Sequence, residues 1–229
     1  MKVYWLSASE AGVPPGDHWL SERESAALDR LNIPKRRADW RLGRWTAKRA
    51  IAAHRRLPPE QDALAAIEVW PASSGAPEAF LEGLPANLII SLSHSHGTGF
   101  CTVAAPGAAL GCDVERVTPR AETFLADYFT PEEQQLVERS PAVERPNLMT
   151  LLWSAKESVL KALECGLRSD TRSVLTLPGQ MPKHARPGWR PLAAREASGR
   201  VFHGWWQQTG DLVWTVMSAP PAFPPIALV

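Results

Sequence analysis

The chain has 229 residues, 45% of them hydrophobic, with ten tryptophans and a formal net charge of +1. That is ample for a buried core in one large or two small domains, and it excludes a general basic field for nucleic acid or membrane surfaces, so any phosphate site must be local. Cys101, Cys112 and Cys165 are odd in number and lack CxxC spacing, which argues against a disulfide framework or a zinc site. No apolar run reaches the roughly 18 residues of a membrane span, and a cytoplasmic protein is expected.

Residues 3–7 read as a strand, and Pro14-Pro15-Gly16 as a loop before Ser21, the N-cap of a short helix ending near Leu31. Pro34 opens a longer helix. Over residues 35–57 an apolar stripe (Trp45, Ala47, Ile51, Ala52) shares the helix with many basic residues, and Pro58-Pro59 ends it. Residues 65–70 are strand-like, 71–85 read as a loop, and 87–93 form a strand running into the polar turn S-L-S-H-S-H-G at 91–97. Such a turn offers hydroxyls and backbone N–H groups to phosphate. Residues 99–104 and 109–114, joined by Ala105-Pro106-Gly107, read as a hairpin leading from one half of the chain to the other.

Within the strand at 108–117, Asp113 and Glu115 are separated by one residue and point to the same side, where two carboxylates repel unless a cation lies between them. A loop with an exposed-looking aromatic group, Phe124, Tyr128 and Phe129, precedes T-P-E-E at 130–133, a capping box with proline at the first helical position. The short acidic helix that follows reaches about Arg139. Residues 148–166 then give a strong helix with a stripe of Leu148, Leu152, Ala155, Val159 and Leu163, stopped by Gly166. Trp153, Glu157 and Lys161, four apart, share the neighbouring face, with Lys156 beside it. Glu157 and Lys161 alone could be a solvated ion pair. With Asp113 and Glu115 they become more: Glu157 completes an all-oxygen set of the kind Mg²⁺ prefers. Residues 200–208 and 211–218 form a last hairpin around Thr209-Gly210, and S-A-P-P-A-F-P-P has no foldable pattern and is expected to lie over the surface.

The segment W-T-A-K-R-A-I at 45–51 is echoed by W-S-A-K-E-S-V at 153–159. An internal duplication is the reading: an α+β fold in which a small antiparallel sheet packed with a long helix occurs twice about a pseudo-twofold axis, with a ligand cleft between the halves. The halves would be residues 1–106 and 107–218, followed by a tail at 219–229. Arg49 and Ala53 stand where the second copy has Glu157 and Lys161, so only the second half holds metal and catalytic groups.

G-x-D-x-E (Gly111, Asp113, Glu115) followed by W-x-x-K-E-x-x-x-K (Trp153, Lys156, Glu157, Lys161) resembles the 4′-phosphopantetheinyl transferase superfamily, in its larger form built as a pseudo-dimer in one chain. The resemblance implies transfer of phosphopantetheine from coenzyme A to a serine of an apo acyl or peptidyl carrier protein, by a monomer with no nucleic-acid or membrane partner. It implies Mg²⁺ on Asp113, Glu115 and Glu157, a proton accepted by Glu157, and phosphate charge neutralised by Lys156 and Lys161. Ser93 and His94 match the family's S-x-S-H-S segment and so imply phosphate contacts, while His96 is given no role. Two departures stand out. Val114 lies where some relatives carry a further acid, and Ala76, in Gly75-Ala76-Pro77, lies where the family often has a lysine for the 3′-phosphate. Arg37, Arg41, Arg44 and Lys48 of the basic helix are the candidates to replace it, Arg44 first. The aromatic group at 124–129 is the expected carrier contact. A noncatalytic nucleic-acid module using the basic helix would leave the three carboxylates unexplained, whereas a metal-dependent phosphodiesterase would use them with water as nucleophile.

Overall fold

Each half of the chain folds around a long helix whose apolar stripe must find a sheet to cover it. The computed structural model describes residues 1–58, 60–178 and 188–229. The chain divides into an N-terminal unit, Lys2–Gly107 with Ile226–Val229, and a C-terminal unit, Ala108–Pro225 with Met1.

In the N-terminal unit, β1 (Val3–Ser9) buries Val3, Leu6 and Ala8. Helix α1 (Glu22–Asp29) starts from a capping box in which Ser21 and Glu24 satisfy each other's backbone N–H groups. Helix α2 (Pro34–Arg55) has proline in its first turn and buries Leu42, Ala47, Ala50 and Ile51. The short α3 (Gln61–Ala65) leads into β2 (Ile67–Pro71), the strand expected there, and then β3 (Pro77–Leu81) and β4 (Leu84–Pro85), which complete a three-stranded meander across residues 71–85, where a loop was expected. Pro59, the second half of the expected helix stop, lies outside the described residues. Strands β5 (Ile89–Ser95) and β6 (Thr98–Ala104) form a hairpin whose two turn residues, His96 and Gly97, both have positive φ. Helix α2 packs on β1 and β6.

In the C-terminal unit, β7 (Ala109–Arg116) is followed by α4 (Glu122–Tyr128), where an aromatic loop was expected, and by α5 (Pro131–Arg139), which opens on the predicted Thr130–Glu133 capping box. Helix α6 (Arg145–Ala162) buries Leu148, Leu152, Ala155 and Val159 of the expected stripe, while Leu163 is its C-cap and half-buried. It is closed by Glu164 at φ 57, two residues before the expected Gly166. Strands β8 (Val174–Pro178) and β9 (Arg190–Glu196), which the sequence had not suggested, join β10 (Val201–Thr209) and β11 (Leu212–Ala219) in an antiparallel sheet of order β7-β11-β10-β9-β8.

Two expectations are corrected. Strand β6 pairs with β1 and β5 whereas β7 pairs with β11, so residues 99–114 cross from one sheet to another and form no hairpin. The expected tail at 219–229 is not without structure: beyond S-A-P-P-A-F-P-P, whose first two residues belong to β11, β12 (Ile226–Ala227) adds to β1 in parallel, giving the order β12-β1-β6-β5. Both units are α+β, and in each the first strand pairs with the last and carries the long helix. No helix among the described residues is long and apolar enough to cross a membrane.

Candidate active site

The site begins with a close approach of helix to strand. A Cβ at Gly111 would lie 1.8 Å from the Ser158 carbonyl oxygen, so only glycine lets β7 meet α6 at this distance. Period-two alternation along β7 then turns Asp113 and Glu115 to the same side. The helical repeat brings Trp153, Glu157 and Lys161 onto the facing stripe of α6.

One carboxylate oxygen from each of Asp113, Glu115 and Glu157 lies within 4.8 Å of the others. Lys161 Nζ is 2.8 Å from Asp113 Oδ1 and 3.7 Å from Glu157 Oε2. Trp153 Nε1 donates to Glu115 Oε1 at 3.3 Å, and Arg120 reaches Glu115 Oε2 at 3.6 Å while lying over the Phe124 ring. Behind α6, the hydroxyls of Ser154 and Ser158 each meet Thr215 Oγ1 at 2.8 Å, a buried polar seam that ties the helix to β11.

Crowding three acids has electrostatic consequences. Burial, then the Asp113 carboxylate, pushes Glu157 up to about 7, with Lys161 opposing and Glu115 adding. Burial and Asp113 also raise Glu115, against Arg120 and the Trp153 hydrogen bond. Burial pulls Lys161 down, but Asp113 and Glu157 more than offset it, so its ammonium titrates well above its ordinary range. Glu115 and Glu157, held above their ordinary range in this way, gain from a hard divalent cation beside them, and the all-oxygen donors of the three residues suit Mg²⁺. The donor set fits the metal.

Other predicted residues have different placements. Lys156, one residue from Glu157, turns into the interior: its fully buried Nζ meets Glu133 Oε2 at 2.7 Å and donates to the Thr171 carbonyl at 3.0 Å and to that of Val174. Its neighbour in sequence faces the site and Lys156 does not, because consecutive helical side chains are about 100° apart. Lys48 is equally buried, paired with Glu24 and donating to the Trp19 carbonyl at 2.8 Å. Neither Lys156 nor Lys48 presents its ammonium to solvent: each is committed to a glutamate and to main-chain carbonyls. Arg41 is held by Asp17 and the Pro14 carbonyl, and Arg37 by the Leu28 carbonyl. Arg44 stacks on Trp40 at 4.6 Å, 3.7 Å from Glu24. Ser93 and His94 belong to β5 rather than to a turn; Ser93 is buried and His94 exposed.

The expected aromatic surface is split: Phe129 is fully buried with Leu148 and Leu152, Phe124 packs on Trp153 at 5.0 Å, and Tyr128 is 40% exposed. Sequence reading missed Arg120 and the buried partners Glu24 and Glu133. The capping boxes were the available signal for both glutamates.

A family model described as the 4′-phosphopantetheinyl transferase superfamily matches residues 109–206, the stretch that contains all three carboxylates and Lys161. The 4′-phosphopantetheinyl transferase HetI of Nostoc sp. (strain PCC 7120) is 25% identical over 177 residues, covering 76% of this chain and 72% of HetI. Enterobactin synthase component D of Salmonella typhi is 28% identical over 153 residues, covering 61% of this chain and 59% of that relative's length. Among solved structures, Helicobacter pylori holo-[acyl-carrier-protein] synthase in complex with coenzyme A is 16% identical, with 44% of this chain and 96% of that chain covered at a TM-score of 0.31.

Proposed function

We propose, from the match of residues 109–206 to the 4′-phosphopantetheinyl transferase superfamily and the likeness to relatives of that activity, that the chain belongs to this superfamily and moves the 4′-phosphopantetheine group of coenzyme A onto a serine of an apo acyl or peptidyl carrier protein. The observation that carries this reading is the meeting of Asp113, Glu115 and Glu157 within 4.8 Å, with Lys161 on Asp113. Those three carboxylates would hold Mg²⁺, which when bound supplies Lewis-acid neutralisation of pyrophosphate charge.

The chain's own groups have separable work. Glu157, the one carboxylate of the three that comes from α6, is the candidate base. It accepts the serine proton as Oγ attacks the phosphorus bearing the pantetheine arm. The bond from that phosphorus to the bridging oxygen breaks, and adenosine 3′,5′-bisphosphate departs. Lys161, about a quarter exposed, keeps a permanent positive charge beside the carboxylates for the phosphates to use. Trp153 and Arg120 orient Glu115. In the N-terminal unit, Ser93, His94 and Arg44 are proposed as phosphate contacts on the strength of their sequence pattern and charge; coenzyme A affinity of their alanine variants tests each separately.

The deciding experiment is incubation with coenzyme A, Mg²⁺ and a panel of apo carrier proteins, followed by intact mass. One carrier gaining the mass of a phosphopantetheine group is the expected result. Coenzyme A hydrolysed with no carrier present would instead identify a phosphodiesterase acting through the same carboxylates.

A further inference from the structure

Both units contain the same buried device, and only the C-terminal one lies beside the cluster of Asp113, Glu115 and Glu157. In the N-terminal unit, Glu24 is the third helical residue of the Ser21 capping box. Its Oε2 accepts from the Ser21 N–H at 3.2 Å and pairs with Lys48 of α2, while its Oε1 accepts from the Val69 N–H of β2 at 3.1 Å. In the C-terminal unit, Glu133 holds the same place in the Thr130 box. Its Oε2 accepts from the Thr130 N–H at 2.9 Å and pairs with Lys156 of α6 at 2.7 Å, and its Oε1 accepts from the Thr176 N–H of β8 at 2.7 Å. Each lysine also donates to main-chain carbonyls, Lys48 to Trp19 and Lys156 to Thr171 and Val174. One glutamate thus joins a helix start, the long helix and the strand that follows it, twice.

Two fully buried ion pairs are an expensive way to fill a core that apolar side chains would fill as well, since desolvating both charges offsets much of their attraction. What the pair adds is direction. An ammonium with its protons committed to Glu133 and two carbonyls fixes how α6 is turned about its own axis, whereas apolar packing tolerates small rotations. The glycine contact at Gly111 sets how near α6 lies to β7, but not which residues face it. Glu157 and Lys161 follow Lys156 by one and five positions, so their aim at Asp113 is set by the same rotation.

We propose that Lys156 and Glu133 are positioning residues that aim Glu157 and Lys161 at Asp113. The Lys48–Glu24 pair has no such use, because Arg49 and Ala53 stand where Glu157 and Lys161 would be. The inference rests on the preceding reading of the three carboxylates as a divalent-metal site, and its test is a matched pair of variants.

Glu133→Gln and Glu24→Gln each leave a buried ammonium without its counter-charge, and both should lower the melting temperature of the metal-free protein. Titration of Mg²⁺, and of Mn²⁺ as a second probe, by calorimetry separates them. Affinity should fall about tenfold or more in Glu133→Gln, the size of effect expected when a group that orients metal ligands is lost. It should stay at the parent value in Glu24→Gln. Turnover should fall in Glu133→Gln without a matching loss of coenzyme A affinity. Should Glu133→Gln not fold, the double variant Lys156→Met with Glu133→Leu removes both charges; weakened metal affinity in that folded protein supports the proposal.

Parental metal affinity in either folded C-terminal variant overturns it, as does an equal fall in Glu24→Gln. A parent protein that binds neither cation sinks the metal reading and the positioning role together. If it binds metal but modifies no carrier, only the proposed activity fails.

Discussion

Helices α2 and α6 share the sequence W-x-A-K, lock their lysine to the glutamate of a capping box, and each lie on the first strand of their unit. They differ one residue past the lysine. In α2 the next position is Arg49, which stacks on Trp45 at 5.7 Å, and the strand beneath, V-Y-W-L-S-A-S, has no acid. In α6 it is Glu157, and the strand beneath brings Asp113 and Glu115. The interior device is the same in both units; the facing surface is not. Chemistry thus enters through positions that the fold does not need for packing, and it enters at a cost, since the C-terminal unit gathers like charges that Lys161, Arg120 and the Trp153 hydrogen bond partly offset.

The largest effect should come from removing the carboxylate that α2's strand lacks altogether. Asp113→Ala should abolish transfer to a carrier while the protein stays folded; a folded variant working at the parental rate would break the contrast between the units at its root. Next come the two α6 positions. Glu157→Gln cannot accept a proton, so turnover should fall by roughly 10²–10⁴ with coenzyme A still bound. Lys161→Ala installs the residue that α2 has at Ala53, and it should reduce coenzyme A affinity and rate together, because the lost charge faces phosphates before and during reaction. Calorimetry beside single-turnover assays distinguishes the two, and parental values for both would return Glu157 and Lys161 to a mere i,i+4 pair.

A smaller effect concerns pH. Glu157 is raised from 4.5 to about 7 in the metal-free fold, so between those values the native state holds more protons than the unfolded chain. The stability of the metal-free protein should therefore decline as pH rises from about 4.5 to about 7, by at most about 3 kcal/mol. Mg²⁺ should reverse this, raising the melting temperature more at pH 8 than at pH 5. A shift by Mg²⁺ that did not depend on pH would detach Glu157 from the metal set. The smallest expected change is at Tyr128: with 40% of its surface exposed it is the aromatic residue of its cluster best placed to meet a carrier, and Tyr128→Ala should weaken carrier binding a few-fold without touching coenzyme A affinity. Loss of coenzyme A affinity in that variant would move the residue out of the carrier surface.

What the sequence determined by itself is what local periodicity and local hydrogen bonding specify. A period of two placed Asp113 and Glu115 together, a period near four placed Trp153, Glu157 and Lys161 together, and Ser21 as an N-cap and the T-P-E-E box at 130–133 marked two helix starts. Only the tertiary structure decided which of the neighbours Lys156 and Glu157 faces the site. The partner that draws Lys156 inward is Glu133 on another helix, and no helical repeat records it. The same holds for Lys48, taken inward by Glu24, and for Phe129, which packs under Leu148 and Leu152 instead of meeting solvent. It holds most of all for β12, whose two residues pair with β1 at the opposite end of the chain. Burial of a charge or an edge strand is settled by whichever distant group can satisfy its hydrogen bonds, and that choice exists only once the chain has closed on itself.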